Sequence, residues 1–190
     1  GKGEPKYLNS QETPIFYKSQ TLYGLDKAKA TMAATGTAVV VEGYTDVIAL
    51  HEAGVGNAVA TLGTALTQRH IRLLSRHAKK RIVYLFDGDA AGQRAADRAL
   101  GFIDASITPE SGRAPIELAA VTLPDNLDPA DFVEKRGGDA LKQLIDQAQP
   151  LLAYGIERRL AAHDLSTPEG RTRAAADALA VLAPIKDSLL

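Results

Sequence analysis

The chain has 190 residues, of which 45% are hydrophobic and 24% charged, with a formal net charge of −1. This is the balance of a folded globular protein rather than a disordered one, and it excludes a global, though not a local, electrostatic pull on nucleic acid. There are no cysteines, which excludes disulfides, thiolate zinc sites and cysteine nucleophiles within these residues.

The chain opens Gly1-Lys2-Gly3 with neither an initiator Met nor a signal-peptide pattern, and it reads as an excised piece of something longer. Residues 1–35 are polar, with Pro5 and Pro14, and turn helical from Tyr23 through Lys27 to Met32. Thr35-Gly36 closes that helix with Gly past its end. Ala38-Val39-Val40-Val41 is an apolar run without alternation, the mark of a strand buried on both faces. A helical pattern (Val47, Ile48, Leu50, His51) follows and stops at Gly54.

The unit then repeats three times. Asn57–Leu62 reads as a strand and Gln68–Ala78 as a helix; Arg81–Phe86 reads as a strand and Ala91–Ala105 as a helix. Ile116–Leu123 reads as a fourth strand, followed by a short helix from Ala130 to Lys135 and a break at Gly137-Gly138. Strands alternating with helices predict an α/β fold, a parallel sheet of about four strands with helices on both faces. Past Pro150, Leu151–Ala162 and Arg171–Leu182 read as two helices separated by Ser166-Thr167-Pro168-Glu169, a cap with Pro in the first turn. The expected organisation is a joining segment over 1–35, the sheet domain over 36–148 and a helical appendix over 149–190.

In open parallel sheets, ligands bind beyond the carboxyl ends of the strands. Glu42-Gly43-Tyr44-Thr45-Asp46 follows the first strand, Asp87-Gly88-Asp89-Ala90-Ala91-Gly92 the third, and Pro124 through Asp131, with Asp128 and Asp131, the fourth. Strands pair ~4.8 Å apart, so these carboxylates crowd and raise one another's pKa. A hard divalent cation such as Mg²⁺ relieves that conflict. Asp46 is equally suited to be a helix N-terminal acid, and Asp128 before Pro129 to be a turn or cap residue. A calcium-loop reading of Asp87-Gly88-Asp89 fails, because Ala91 and Arg98 stand where oxygen donors are needed. No P-loop pattern occurs. No carboxylate lies between Glu52 and Asp87, whereas Arg69, Arg72, Arg76, Lys79, Lys80 and Arg81 all do. This basic stretch is either a solvated helix face or a phosphate-binding one.

Glu42-Gly43-Tyr44-x-Asp46 and Asp87-Gly88-Asp89-x-Ala91-Gly92, each after a hydrophobic strand, resemble the Toprim fold of bacterial primases, type IA and type II topoisomerases and some nucleases. Lys6-Tyr7-Leu8-Asn9-Ser10, Glu12-Thr13, Ile15-Phe16, Lys18 and Leu22-Tyr23-Gly24-Leu25 resemble the segment joining the two halves of the bacterial (DnaG-type) primase core. Leu62-Gly63-Thr64 and Leu123-Pro124-x-x-x-Asp128-Pro129 also fit, and the resemblance spans roughly residues 4–150. It implies metal-dependent RNA primer synthesis on a single-stranded DNA template from ribonucleoside triphosphates, in the cytoplasmic replisome. Catalysis would rest on Glu42, Asp87 and Asp89 with two or more Mg²⁺ or Mn²⁺ ions, and Asp46 and Asp128 would support the metals. Ala130 stands where the family often has a further acid, which makes Asp131 its candidate substitute. Lys6, Tyr7, Asn9 and Lys18 match a basic ridge contacting nucleic acid or nucleotide. A zinc module before Gly1, the amino-terminal half of the core and a helicase-binding region past Leu190 are expected to lie outside the chain. Two rivals remain: a topoisomerase-type Toprim module, which needs a tyrosine nucleophile, and a non-catalytic nucleic-acid-binding one.

Overall fold

The computed structural model describes residues 10–63, 65–100 and 116–182. Among them β1 (Thr37–Val41), β2 (Ala58–Ala60), β3 (Arg81–Phe86), β4 (Glu117–Thr122) and β5 (Gln149–Pro150) form one sheet in the order β2-β1-β3-β4-β5. The first four are parallel, and β5 pairs antiparallel with β4. The predicted α/β class and its four parallel strands are therefore present, with one short strand added at the edge. Two residues, one of them a proline that cannot donate to a ladder, left no strand signal to read. β2 is shorter than Asn57–Leu62 because Leu62 turns into the left-handed region at φ 57°.

All five residues of β1 are buried, and the pleat divides them between two cores. Val39, Val41, Val83 and Leu85 face one side. There they meet Val47 and Leu50 of α2 (Tyr44–Glu52), Phe132 of α5 (Pro129–Arg136), and Leu141 and Ile145 of α6 (Gly138–Asp146). Ala38, Val40 and Ile82 face the other. They pack on Ala28 and Met32 of α1 (Leu25–Thr35) and on Ile71 and Leu74 of α3 (Gln68–Leu74). Farther along that side Phe86 and Ala120 meet Ala96, Ala99 and Leu100 of α4 (Ala90–Leu100), and Leu151 and Tyr154 of α7 (Leu151–Ala161).

Helix α6 replaces the break read at Gly137-Gly138. Gly137 ends α5 with φ +82°, and Gly138 restarts the chain where a Cβ would lie 1.9 Å from the carbonyl oxygen of Ala53. The two glycines thus join two helices against α2. At the amino-terminal side, Tyr23 and Ala60 exchange backbone hydrogen bonds of 2.9 and 3.2 Å, so the segment before α1 covers the outer edge of β2. Helix α8 (Pro168–Leu182) starts as its sequence predicts: the Thr167 hydroxyl accepts the Gly170 N–H at 3.0 Å. The predicted helix end at Phe102, Ile103 and Ala105 lies outside the described residues.

Candidate functional site

The strand order settles what the sequence left open. β1, β3 and β4 are adjacent and parallel, so the segments after them, carrying Glu42, Asp87 and Asp128, emerge side by side. Two backbone bonds stitch the last two together: Leu123 N–H donates to Phe86 O at 2.9 Å, and Gly88 N–H donates to Leu127 O at 3.0 Å. A Cβ on Gly88 would lie 2.5 Å from Leu123 O, so only glycine allows this approach.

Three of the acids serve local structure as well. Asp46 takes backbone N–H bonds from Gly43 at its own helix start and from Ala130 in the first turn of α5. One carboxylate therefore ties the starts of α2 and α5 together. Asp89 caps α4, accepting Gly92 N–H at 2.8 Å, and Asp128 caps α5, accepting Asp131 N–H at 2.7 Å. The bland readings of Asp46 and Asp128 thus hold alongside their place in the cluster.

The electrostatics show how close these acids stand. Asp87 is pushed up to about 7, first by burial and then by Asp46, Glu42, Asp128 and Asp89. Asp46 rises to about 6 through burial and the charges of Asp128 and Glu42, against the two backbone donors. Glu42, open to solvent on one side, is raised by its partial burial, lowered by Arg98 and raised by Asp89. Glu42, Asp46, Asp87, Asp89 and Asp128 therefore form one coupled acidic cluster. Asp131 is exposed, its N–H bonded to Asp128 and its carboxylate 4.0 Å from Lys135 on its own helix. Lys18 lies in the short turn Lys18–Gln20, its backbone N–H bonded to Glu12; Lys6, Tyr7 and Asn9 lie outside the described residues.

Two groups at the site escaped the sequence reading. Arg98 of α4 and Tyr84 of β3 line a cavity of about 310 Å³ with Glu42, Thr61, Leu66 and Ala99. Burial holds the Tyr84 phenol well above its ordinary value. No short spacing links Arg98 to Glu42; only the packing of α4 on the sheet brings them together.

Among the described residues no three side chains converge as a ready metal cage. The donor chemistry nevertheless fits a divalent cation: hard carboxylate oxygens from three strand ends, among which Glu42, Asp46 and Asp87 have proton affinities raised by burial and then by neighbouring carboxylates. A pH dependence follows. Asp46 and Asp87, raised to about 6 and about 7, bind more protons in the fold than in the unfolded chain, so the stability each contributes is lost as pH climbs from about 4 to those values. Buried His70, held below its ordinary value chiefly by burial, acts oppositely: its share is lost as pH falls below about 6.5. A bound cation removes only the acid contribution. The Tm gain on adding Mn²⁺ is expected to widen from about pH 5 to about pH 8. A gain independent of pH in thermal melts would show that the cation binds elsewhere.

Comparison with known proteins places these features together. The family model of the Toprim domain matches residues 36–110, that of the DNA primase catalytic core, N-terminal domain, matches 1–29, and that of the DnaB-helicase binding domain of primase matches 152–190. The last match falls on α7, α8 and the residues that follow, the segment the sequence reads as a helical appendix. The chain is 43% identical over 188 residues to the DNA primase of Streptomyces coelicolor, covering 97% of this chain and 28% of that protein. It is 42% identical over 190 residues to that of Escherichia coli K12, covering 100% and 32%. It thus spans about a third of these relatives. Among solved structures, a DnaG primase catalytic domain bound to single-stranded DNA matches with a TM-score of 0.77 at 41% identity, over 97% of this chain and 57% of that one. A DNA primase domain from Pseudomonas aeruginosa gives 0.80 at 41%, over 97% and 56%.

Proposed function

The chain belongs to the bacterial DNA primase family and carries its Toprim fold, and from that premise we propose that its acidic cluster serves nucleotidyl transfer in RNA primer synthesis on single-stranded DNA. The observation that carries this reading is the coupled set Glu42, Asp46, Asp87, Asp89 and Asp128 at three neighbouring strand ends. Bound divalent cations, Mg²⁺ or Mn²⁺, would supply charge stabilisation for the attacking and leaving oxygens.

The chain's own residues prepare that chemistry. Glu42, Asp87 and Asp89 present oxygens from the ends of β1 and β3, while Asp46 and Asp128 hold the flanking helix starts and add negative charge. Arg98 offsets part of the rise that burial imposes on the Glu42 carboxyl. Asp131, 4.0 Å from Lys135, would add a further carboxylate on the α5 side of the cluster. Lys18, with Lys6, Tyr7 and Asn9, would hold the phosphates of nucleotide, primer or template, and the segment 152–190 would face the replicative helicase. The primase match at 1–29 favours this reading over a topoisomerase module.

A ribonucleoside triphosphate is expected to bind in Mn²⁺ or Mg²⁺ and to be released by EDTA. Lys18→Ala is expected to weaken that binding several-fold while leaving Mn²⁺ affinity unchanged. Isothermal titration of nucleotide and of metal checks both, and nucleotide binding indifferent to EDTA would overturn the proposal.

A further inference from the structure

Helix α3 begins with a reciprocal cap. The Thr67 hydroxyl takes the His70 N–H at 3.2 Å, and Thr67 N–H donates to His70 Nδ1 at 3.2 Å. With Nδ1 an acceptor, the imidazole proton sits on Nε2, which donates to Lys18 O at 2.9 Å. The Thr67 hydroxyl in turn donates to Ser19 O at 2.8 Å. His70 is 0% exposed. The Lys18–Gln20 turn is thereby locked onto the first turn of α3, which fixes Lys18 relative to that helix.

Helix α3 and the turn that continues it carry Arg69, Arg72 and Arg76, all exposed. Their spacing of three and four residues sets them on one face. None of the three has an ion-pair partner among the described residues, and the chain offers no carboxylate from residue 53 to residue 86. Across α3 and the turn after it the row spans on the order of 10 Å, enough to meet more than one phosphate of a strand. Guanidinium groups suit phosphates because they can donate two parallel hydrogen bonds. Gly63, Ala65 and Leu66, which precede α3, also line the cavity holding Glu42, so the row starts near the acidic cluster and leads away from it.

We infer that Arg69, Arg72 and Arg76, continued by the locked Lys18 turn, form a track for the phosphodiester backbone of a nucleic-acid strand outside the acidic site. The inference rests on the nucleic-acid reading above. Recognition is of the backbone alone, so the track is indifferent to base sequence and sensitive to salt.

The test is an anisotropy titration of the chain with a labelled single-stranded oligodeoxynucleotide at a series of salt concentrations. The Arg69→Ala/Arg72→Ala/Arg76→Ala variant is expected to bind ~10-fold or more weakly at low salt. The slope of log affinity against log salt is expected to fall by ~2, at ~0.7 per charge on a single strand. All three positions are exposed and alanine favours helix; if the variant nonetheless loses its cooperative melt, Arg→Gln at the same positions gives the same readout. Wild-type affinity and slope in the variant, with nucleotide binding still metal-dependent, would overturn the track and leave the site reading standing. Unchanged DNA binding with lost binding to poly-glutamate would assign the face to an acidic protein and overturn it too. Absence of DNA binding by the wild-type chain, with nucleotide binding still metal-dependent, would overturn the track alone.

Discussion

Asp87→Asn is expected to abolish divalent-cation binding, to lower nucleotidyl transfer by ~10³-fold or more, and to make the metal-free chain more stable. The first two effects follow from removing a charged oxygen donor at the centre of the cluster; a 10³-fold loss corresponds to ~4 kcal/mol of transition-state stabilisation. The third follows from the electrostatics. Asp87 is raised to about 7 by burial and by the four other carboxylates, so at neutral pH much of its ionised form is held against repulsion. Asn keeps the shape and removes the charge. Discounted for the water that reaches the site, the gain is ~1–2 kcal/mol, a rise of a few degrees in Tm. Opposite signs on stability and activity mark a residue kept for binding rather than for folding. Thermal melts with and without Mn²⁺ check it directly. An Asn variant that is less stable than wild type without metal, or that still gains Tm from Mn²⁺, would sink the assignment of Asp87 to the metal site.

The same repulsion explains which parts of the site the sequence could reveal. Acids placed just after buried strands are visible because strand, turn and carboxylate are contiguous, as in Val41-Glu42 and Phe86-Asp87. What cannot be read is the order of strands, since β1 neighbouring both β2 and β3 is decided by packing on both faces. Arg98 is invisible for a related reason: it reaches Glu42 only because Ala95, Ala96 and Ala99 let α4 lie close to the sheet. The fold was legible wherever apolar periodicity was long. It failed at β5, where two residues carry no pattern, and at α6, where Leu141, Leu144 and Ile145 held a helical period that Gly137-Gly138 outweighed. Asp131 lies next to the cluster in sequence, its N–H bonded to Asp128 and its carboxylate 4.0 Å from Lys135.

Gly92→Ala tests whether the acidic loop is held by contact or merely tolerates its place. Gly92 sits in the first turn of α4, where alanine should improve helix stability by ~1 kcal/mol if nothing opposed it. A Cβ there would lie 2.2 Å from Asp87 O and 2.8 Å from both Asp87 C and N, and backbone cannot yield as a flexible side chain can. Either α4 or the Asp87-Gly88-Asp89 loop must shift. Both are pinned: the loop by Gly88 N–H on Leu127 O, the helix start by Gly92 N–H on Asp89. The expected cost is ~2–4 kcal/mol, the sum of overpacking and a lost cap, with loss of Mn²⁺ binding because Asp87 and Asp89 move with the loop. Gly137→Ala supplies the contrast. It too lies at a helix junction, but nothing stands within 4 Å of its Cβ, and only its φ of +82° resists. With ψ at 164° this is a conformation essentially reserved for glycine, and the strain of ~1–3 kcal/mol should lower stability and leave Mn²⁺ affinity untouched. Denaturant unfolding and metal titration of the two variants separate a general weakening of the fold from displacement of the acids. If Gly92→Ala is stabilised as helix propensity alone dictates and still binds Mn²⁺, the close packing of α4 on the Asp87 loop does not set the geometry of the site.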